Sequence, residues 1–283
     1  MAIAMLSGMA KASQKKAIKV SGNGMYLITP DRGRLLRSVT VEVEAPIADY
    51  DTGFEAGKQA EYDAFWDNYQ ENGERDNYQY AFAGRGWNSD IFKPKYDICP
   101  TTLNTGFYYF AHKEKIENAV DFVEIFDNRG LIFDTSNCTN FMSGFMWARI
   151  KRLGVIDVRK DTQKLSNTFS YGQIQTIERL IVNENTQYSN NTFQNQATLQ
   201  NITFEGVIGT NNLNLQWSKK LSKASIENVI SCLSATTSGL TVTFSKTAVN
   251  TAFETGEGYA DGSDSAAWSA LIATKSNWTI SLV

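Results

Sequence analysis

The chain has 283 residues, 27 Lys and Arg against 30 Asp and Glu for a formal net charge of −3, and 42% hydrophobic residues. Such a length and apolar share allow one large or two modest domains with a substantial core, while the balanced charge excludes compositional disorder and an electrostatic nucleic-acid binder. A single histidine leans away from zinc sites and histidine-dependent hydrolysis, which draw on several.

Residues 1–46 read as a β-hairpin anchoring module. Ala17–Val20 is a short strand, Ser21-Gly22-Asn23-Gly24 a turn, and Met25–Thr29 a second strand. Pro30-Asp31-Arg32-Gly33 is another turn, and Val39–Glu44 alternates apolar and polar as a half-buried strand does. The module is too small for a core of its own, so it is expected to pack on something else, a partner chain included. Met1–Ala10 is mildly apolar, but Lys11, Lys15 and Lys16 follow it instead of preceding it, the wrong order for a secretory signal. No apolar run approaches the ~18 residues that span a bilayer, so no membrane insertion is expected.

Residues 47–75 read as an aromatic amphipathic helix and linker, helical over 50–72. Asp51 and Thr52 can cap its start and Gly73 can stop it. Tyr50, Phe54, Tyr62, Phe65, Trp66 and Tyr69 build one stripe. The stripe either packs on its own domain or forms an oligomer seam; fewer than four heptads and aromatic contacts argue against a coiled coil. Tyr26, Ile28 and Val41 of the hairpin, with Phe54, Tyr62, Phe65, Trp66 and Tyr69 of the helix, are the candidate anchoring residues.

Residues 76–283 read as one repeat domain, in which the sequence repeats itself from about residue 95 onward. Phe133-Asp134-Thr135, Ile156-Asp157-Val158, Leu180-Ile181-Val182 and Ile202-Thr203-Phe204 read as short strands starting at intervals of 23, 24 and 22. A second register recurs between them at Ser143-Gly144-Phe145, Asn167-Thr168-Phe169 and Asn191-Thr192-Phe193, and a third at Leu153, Ile177 and Leu199. Longer units run from Lys115–Val120 through Gly130 to Leu131–Phe133, and from Ser225–Ile230 through Gly239 to Leu240–Val242; each reads as helix, glycine stop and strand. Ala266–Ile272 followed by Trp278–Leu282 reads as a third copy, and Ile98 lies in the first strand. The expectation is an α/β solenoid with a parallel ladder of about seven strands, each unit burying its apolar side against its neighbours. The aromatic stretch from Tyr78 to Phe110 is expected to cap one end, with binding as a second use.

If the strand-initial residues point inward, Asp134, Asp157, Ile181, Thr203, Thr243 and Ser281 form an exposed ladder preceded by Asp97. Arg159 and Arg179 lie close enough in sequence to neutralise it. The candidate binding face is therefore Asp97, Asp134, Asp157, Arg159, Arg179, Ile181, Thr203 and Thr243. The Asp row admits a cation or acid–base role, but calcium-loop spacing is missing, and no cofactor, metal or catalytic residue is assigned. His112 has no partner cysteine at useful spacing. Gly84-Arg85-Gly86-Trp87 fits a turn better than a phosphate loop. Cys99, Cys138 and Cys232, widely spaced, read as buried thiols.

The pattern Leu-x-x-Ile-x-Phe at Leu199–Phe204, with Asn191-Thr192-Phe193 upstream, resembles the bacterial leucine-rich repeats of the BspA-like type. Ile18 to Val43, with Gly22–Asp31 within it, is similar to a β module recurring in tail-region proteins of gut-bacterial phages. The resemblance implies a leucine-rich-repeat solenoid and a non-enzymatic virion or adhesion protein. Its partners would be other virion proteins or a host-surface protein or glycan, and it would belong to the virion; a homo-oligomer is among the arrangements it allows. The alternatives are a bacterial cell-surface adhesin and, third, a carbohydrate-active enzyme using the Asp row. Fold alone does not decide between them.

Overall fold

The computed structural model describes backbone strands at 3–8, 17–20, 25–30 and 40–43, and residues 60, 62–66, 78–79, 81–85, 87, 92–111, 119–253 and 265–283. The chain divides into two units, Met1–Ala60 and Glu61–Val283, so the division falls inside the segment read from sequence as a linker.

In the first unit, β1 (Ile3–Gly8), β2 (Ala17–Val20), β3 (Met25–Pro30) and β4 (Thr40–Val43) form two two-stranded sheets. Both are parallel: β1 lies beside β3 with Ile3 opposite Met25, and β2 beside β4 with Ala17 opposite Thr40. The expected hairpin is thus corrected. Ser21–Gly24 separates β2 from β3, but each strand pairs with the next but one, because turn chemistry sets a bend and does not choose the partner. Tyr26 and Ile28 fall on β3 and Val41 on β4; Phe54 and Tyr69 lie outside the described residues.

The second unit runs β5 (Val120–Asp121), α1 (Phe122–Asp127), β6 (Ile150–Asp157), β7 (Thr176–Ile181), β8 (Asn201–Glu205), β9 (Leu213–Leu215), α2 (Lys223–Cys232), β10 (Leu240–Phe244), α3 (Lys246–Phe253), α4 (Ala266–Ala273) and β11 (Trp278–Leu282). It is a mixed α/β unit with two sheets, ordered β5-β6-β7-β8 and β9-β10-β11, in which every pairing is parallel. The helix starts follow capping chemistry: Asp121, Ser222 and Ser265 accept backbone N–H groups in the first turns of α1, α2 and α4. Gly130 and Gly239 take φ of 62° and 78°, as glycine stops do.

Sheet register comes from two apolar columns. Leu153, Ile177 and Ile202 lie side by side, as do Ile156, Leu180 and Phe204, and all six are buried. Two residues separate the columns on β6 and β7, whereas Thr203 alone separates them on β8, so the register shifts there. The shift corrects the expected alignment: Ile202 pairs with Ile177, not Leu180. Phe133 makes only an isolated bridge to Ile98. A helix occupies Phe122–Asp127, while the helix expected from residue 115 falls largely on residues 112–118, which, His112 among them, lie outside the described set.

The return path carries the most regular layer. Phe107, Phe145 and Phe169 donate their N–H groups to the carbonyls of Gly144, Thr168 and Thr192 at 2.8–2.9 Å. Their rings stack in one column with Phe82 and Phe193, at centroid distances of 4.6, 5.5, 5.8 and 5.3 Å and interplanar angles of 14° or less. This path needs left-handed backbone at Ser143, Trp147, Asn167 and Tyr171, with φ between 55° and 61°. Such residues cost on the order of 1–2 kcal/mol each, offset by the hydrogen bonds and ring stack they permit.

At the start of the unit Tyr62 and Trp66, on a helical segment at 62–66, are buried against Trp87, Phe82 and Phe65. Their expected anchoring role is corrected: they belong to the interior of their own unit. The Tyr78–Phe110 stretch extends the same cluster, with Tyr78, Phe82, Trp87, Phe92 and Phe110 buried. Gly84 has a φ of 68°, and Arg85 lies 5.3 Å from the Trp87 ring, so this segment is a turn. Cys138 is buried but Cys99 is exposed and Cys232 half-buried, which corrects the reading of three buried thiols.

Candidate binding surface

The outward face of β6–β8 is built by the residues between the buried columns. Val155 and Arg179 are neighbours in register and exposed, Glu178 is half-exposed, and Thr203 and Glu205 are exposed on β8. Arg152 donates from Nε to Asp121 Oδ1 at 3.0 Å and pairs with Glu178 at 3.5 Å. Arg179 donates from Nε to Glu205 at 2.8 Å. The face is charged but paired. Each such pair contributes about 0–1 kcal/mol where solvent screens it, so these side chains are only weakly committed to stability.

The Asp row is placed differently from expectation. Asp157 is only 5% exposed: Thr135 Oγ1 accepts its N–H at 2.7 Å, and its carboxylate takes the backbone N–H and guanidinium of Arg159 at 2.6–3.0 Å. Burial disfavours the charge on Asp157, but the Arg159 hydrogen bonds outweigh it and hold the carboxyl below its usual range. Alternation fails here because Ile156, Asp157 and Val158 are all buried at the end of β6. Asp97 accepts from Ile132 N at 2.9 Å, and Asp134 from Ser136 N at 2.9 Å. Asn183 continues the series, accepting from Asn185 N at 2.8 Å and donating to the Arg159 carbonyl at 3.0 Å. Asp134, Asp157 and Asn183 close local turns two residues long, whereas Asp97 reaches Ile132, 35 positions on.

The single exposed ladder is therefore corrected. In register, Asp157, Ile181 and Glu205 are neighbours, so Thr203 does not lie beside Ile181. Thr243 belongs to β10 in the other sheet, between Asn214 and Ser281. Of the predicted residues, Arg179 and Thr203 share the outward face of β6–β8. Asp161, which the sequence reading left out, is partly buried; its carboxylate takes Gln163 N at 2.7 Å and Phe141 N at 3.3 Å. Burial raises its pKa to about 6 against the pull of those two amides. Among the described residues no group of His, Cys, Asp and Glu is arranged to hold a metal ion.

A second surface was not anticipated. Tyr109, Trp147 and Tyr171 stack in a ridge at 5.5 and 4.7 Å, with interplanar angles of 2° and 14°, and Trp147 is 37% exposed. The signal was present as Phe107-Tyr108-Tyr109, Phe145-Met146-Trp147 and Phe169-Ser170-Tyr171, a Phe-x-aromatic motif in phase with the buried column. Because both faces of Trp147 are covered by neighbouring rings, this residue offers its edge to solvent, not a face.

Comparison of this chain with protein-family models, with curated proteins and with solved structures gives no match. Among the described residues no helix is long and apolar enough to cross a membrane.

Proposed function

We propose that this chain is a non-enzymatic structural or adhesion component of a bacteriophage particle. In this reading the second unit is a solenoid of the leucine-rich-repeat type that presents its outward sheet face to another virion protein or a host-surface protein. The observation that carries the reading is the 24-residue registration of two separate layers: Ile156 beside Leu180 in the sheet, and Phe145, Phe169 and Phe193 in the return path. An array of like units yields an extended face suited to macromolecular partners more than to a small substrate. The carbohydrate-active alternative is disfavoured because Asp97, Asp134 and Asp157 are occupied in holding backbone amides. The glycan-binding adhesin is disfavoured because sugars stack on ring faces, and those of Trp147 are taken.

Mass spectrometry of particles purified through a density gradient tests the reading. The polypeptide is expected at a fixed stoichiometry relative to known structural proteins, and its absence sinks the proposal. Within such particles, Arg179→Glu with Thr203→Glu should lower incorporation or host attachment while leaving the thermal midpoint of the isolated chain nearly unchanged.

A further inference from the structure

We propose that the end of the aromatic ridge is a binding subsite for one pyranose unit of gluco configuration, which stacks on the outer face of Tyr171 and is hydrogen-bonded by the carboxamides of Asn195 and Gln194. The inference rests on the return path and not on the virion reading. Each ridge residue donates its backbone N–H to the residue that precedes the next ridge position: Tyr109 to Met146, Trp147 to Ser170 and Tyr171 to Gln194, at 3.0, 2.9 and 2.7 Å. Asn195 therefore holds the position after Tyr171, and its φ of 55° matches the 56–61° of the three aromatic residues. Phe193-Gln194-Asn195 repeats the Phe-x-aromatic motif with a carboxamide where the ring belongs.

The ridge thus ends in a step. Trp147 covers one face of the Tyr171 ring at 4.7 Å, and no second ring of the described residues stacks on Tyr171. Asn195 is exposed, and Tyr171 and Gln194 are half-buried. The side chain of Asn195 is shorter than the phenol it follows, so the outer part of the ring stands clear above the carboxamide. The backbone carbonyl of Gln194 is engaged by Tyr171, but among the described residues neither the Asn195 nor the Gln194 carboxamide has a hydrogen-bond partner.

The chemistry of the step selects the ligand. An aromatic face carries negative charge density and attracts the weakly positive C–H groups on the apolar face of a sugar. A gluco-configured pyranose suits it, because its equatorial hydroxyls point outward at the rim and leave axial C–H groups on its faces. Each carboxamide offers two donors and an acceptor oxygen, which match hydroxyls that both donate and accept. Tyr171, Gln194 and Asn195 carry no charge, so the step has nothing to hold an ionised ligand. A planar aromatic ligand would use the ring but leave both carboxamides unanswered. One sugar unit fits here, in contrast to the run of open ring faces that an adhesin would use, because the ridge behind Tyr171 is closed by its own stacking.

Saturation-transfer difference NMR on the full chain with methyl β-D-glucopyranoside tests this. A dissociation constant of about 1–10 mM is expected for a single stacked unit, with saturation concentrated on the axial protons of one sugar face. Tyr171→Ala should weaken binding at least about tenfold, and Asn195→Ala about threefold or more. Asn195→Tyr extends the ridge by one ring and covers the platform, so it should abolish binding while leaving the thermal midpoint at or above the native value. Trp147 and Tyr171 already show that this backbone conformation accepts a large side chain. If Tyr171→Ala loses the native circular dichroism, Asn195→Tyr decides alone. Absence of transfer at about 20 mM glucoside overturns the proposal, as does binding unaltered by Asn195→Tyr or saturation spread evenly over the sugar. A silent glucoside with indole bound at the same step, lost in Asn195→Tyr, would also overturn it and give the step to an aromatic side chain of a protein.

Discussion

The carboxamide of Asn228 on α2 holds both backbone groups of Phe204 on β8: Oδ1 accepts the Phe204 N–H at 2.7 Å and Nδ2 donates to the Phe204 carbonyl at 3.1 Å. A side chain thereby stands in for the peptide group of a missing strand, and a helix closes the sheet edge. Asn211 repeats the device on Tyr188, 23 residues earlier, accepting its N–H at 2.9 Å and donating to its carbonyl. Asn211 and Asn228 thus each act as a peptide substitute for a residue 23 or 24 positions earlier.

Removal of that carboxamide strands the N–H of a residue only 2% exposed and leaves its carbonyl with the Cys232 thiol alone, 3.4 Å away. Asn228→Ala should cost about 1–3 kcal/mol, the penalty of one buried unsatisfied group. Chemical denaturation should show a lower midpoint at unchanged slope. A loss below about 0.5 kcal/mol would mean that water or a neighbouring side chain replaces the carboxamide.

Gly206 follows β8 with a φ of 114°, and a Cβ built there would lie 2.1 Å from the Val182 carbonyl oxygen. Both the backbone conformation and the space demand glycine. Because the obstacle is main chain and not a movable side chain, Gly206→Ala should destabilise by more than about 3 kcal/mol, combining steric displacement with strain. Thermal unfolding should register this as a large fall in midpoint, whereas Gly130→Ala, with no atom within 4 Å, should cost only the left-handed penalty of about 1 kcal/mol.

How much of this was legible depends on whether a signal was local. β10, α4, β11 and the Phe145–Phe169–Phe193 column were readable because each carries its pattern within a few residues. Pairing was less readable. The shift at β8 places Phe204 beside Leu180, and a one-residue difference in the spacing of the columns changes no local propensity. The parallel pairing of β2 with β4 involves residues 23 apart in sequence, which turn chemistry does not reach. Elements as short as β5 and β9, two and three residues long, have no periodicity to detect. Asp157 misled because a residue between Ile156 and Val158 reads as outward, whereas Thr135 and Arg159 give it partners inside.

Acid dependence should show two opposite contributions in separate windows. Asp161 has a folded pKa of about 6, above its ordinary value of 3.8. The folded state therefore binds more protons than the unfolded one between about pH 4 and 6, and stability rises as pH falls through that window. Asp157 is held below its ordinary value, so its contribution is present above about pH 4 and is lost as pH falls further. Asp161→Asn should flatten the rise between pH 6 and 4 while sparing the loss below 4. Denaturation midpoints measured every half pH unit would decide it. A native profile with no rise between pH 6 and 4, or one identical to that of the variant, would remove Asp161 from the account.

The two aromatic columns should differ sharply in what they contribute. Phe169 is fully buried between Phe145 and Phe193, so Phe169→Ala removes its transfer energy and leaves a cavity in the middle of the column, at a cost of about 3–5 kcal/mol. Trp147, at the surface, should lose mainly its contacts with Tyr109 and Tyr171, about 0.5–1.5 kcal/mol per pair. Part of that loss is recoverable at the backbone, because Trp147 has a φ of 61° and glycine adopts this conformation without strain. Trp147→Gly should therefore be less damaging than Trp147→Ala, the reverse of the usual order for these two residues. Stability ranked Phe169→Ala, Trp147→Ala, Trp147→Gly, from least to most stable, is the expected result. If alanine proves better tolerated than glycine at 147, the left-handed turns are not a constraint that the return path imposes.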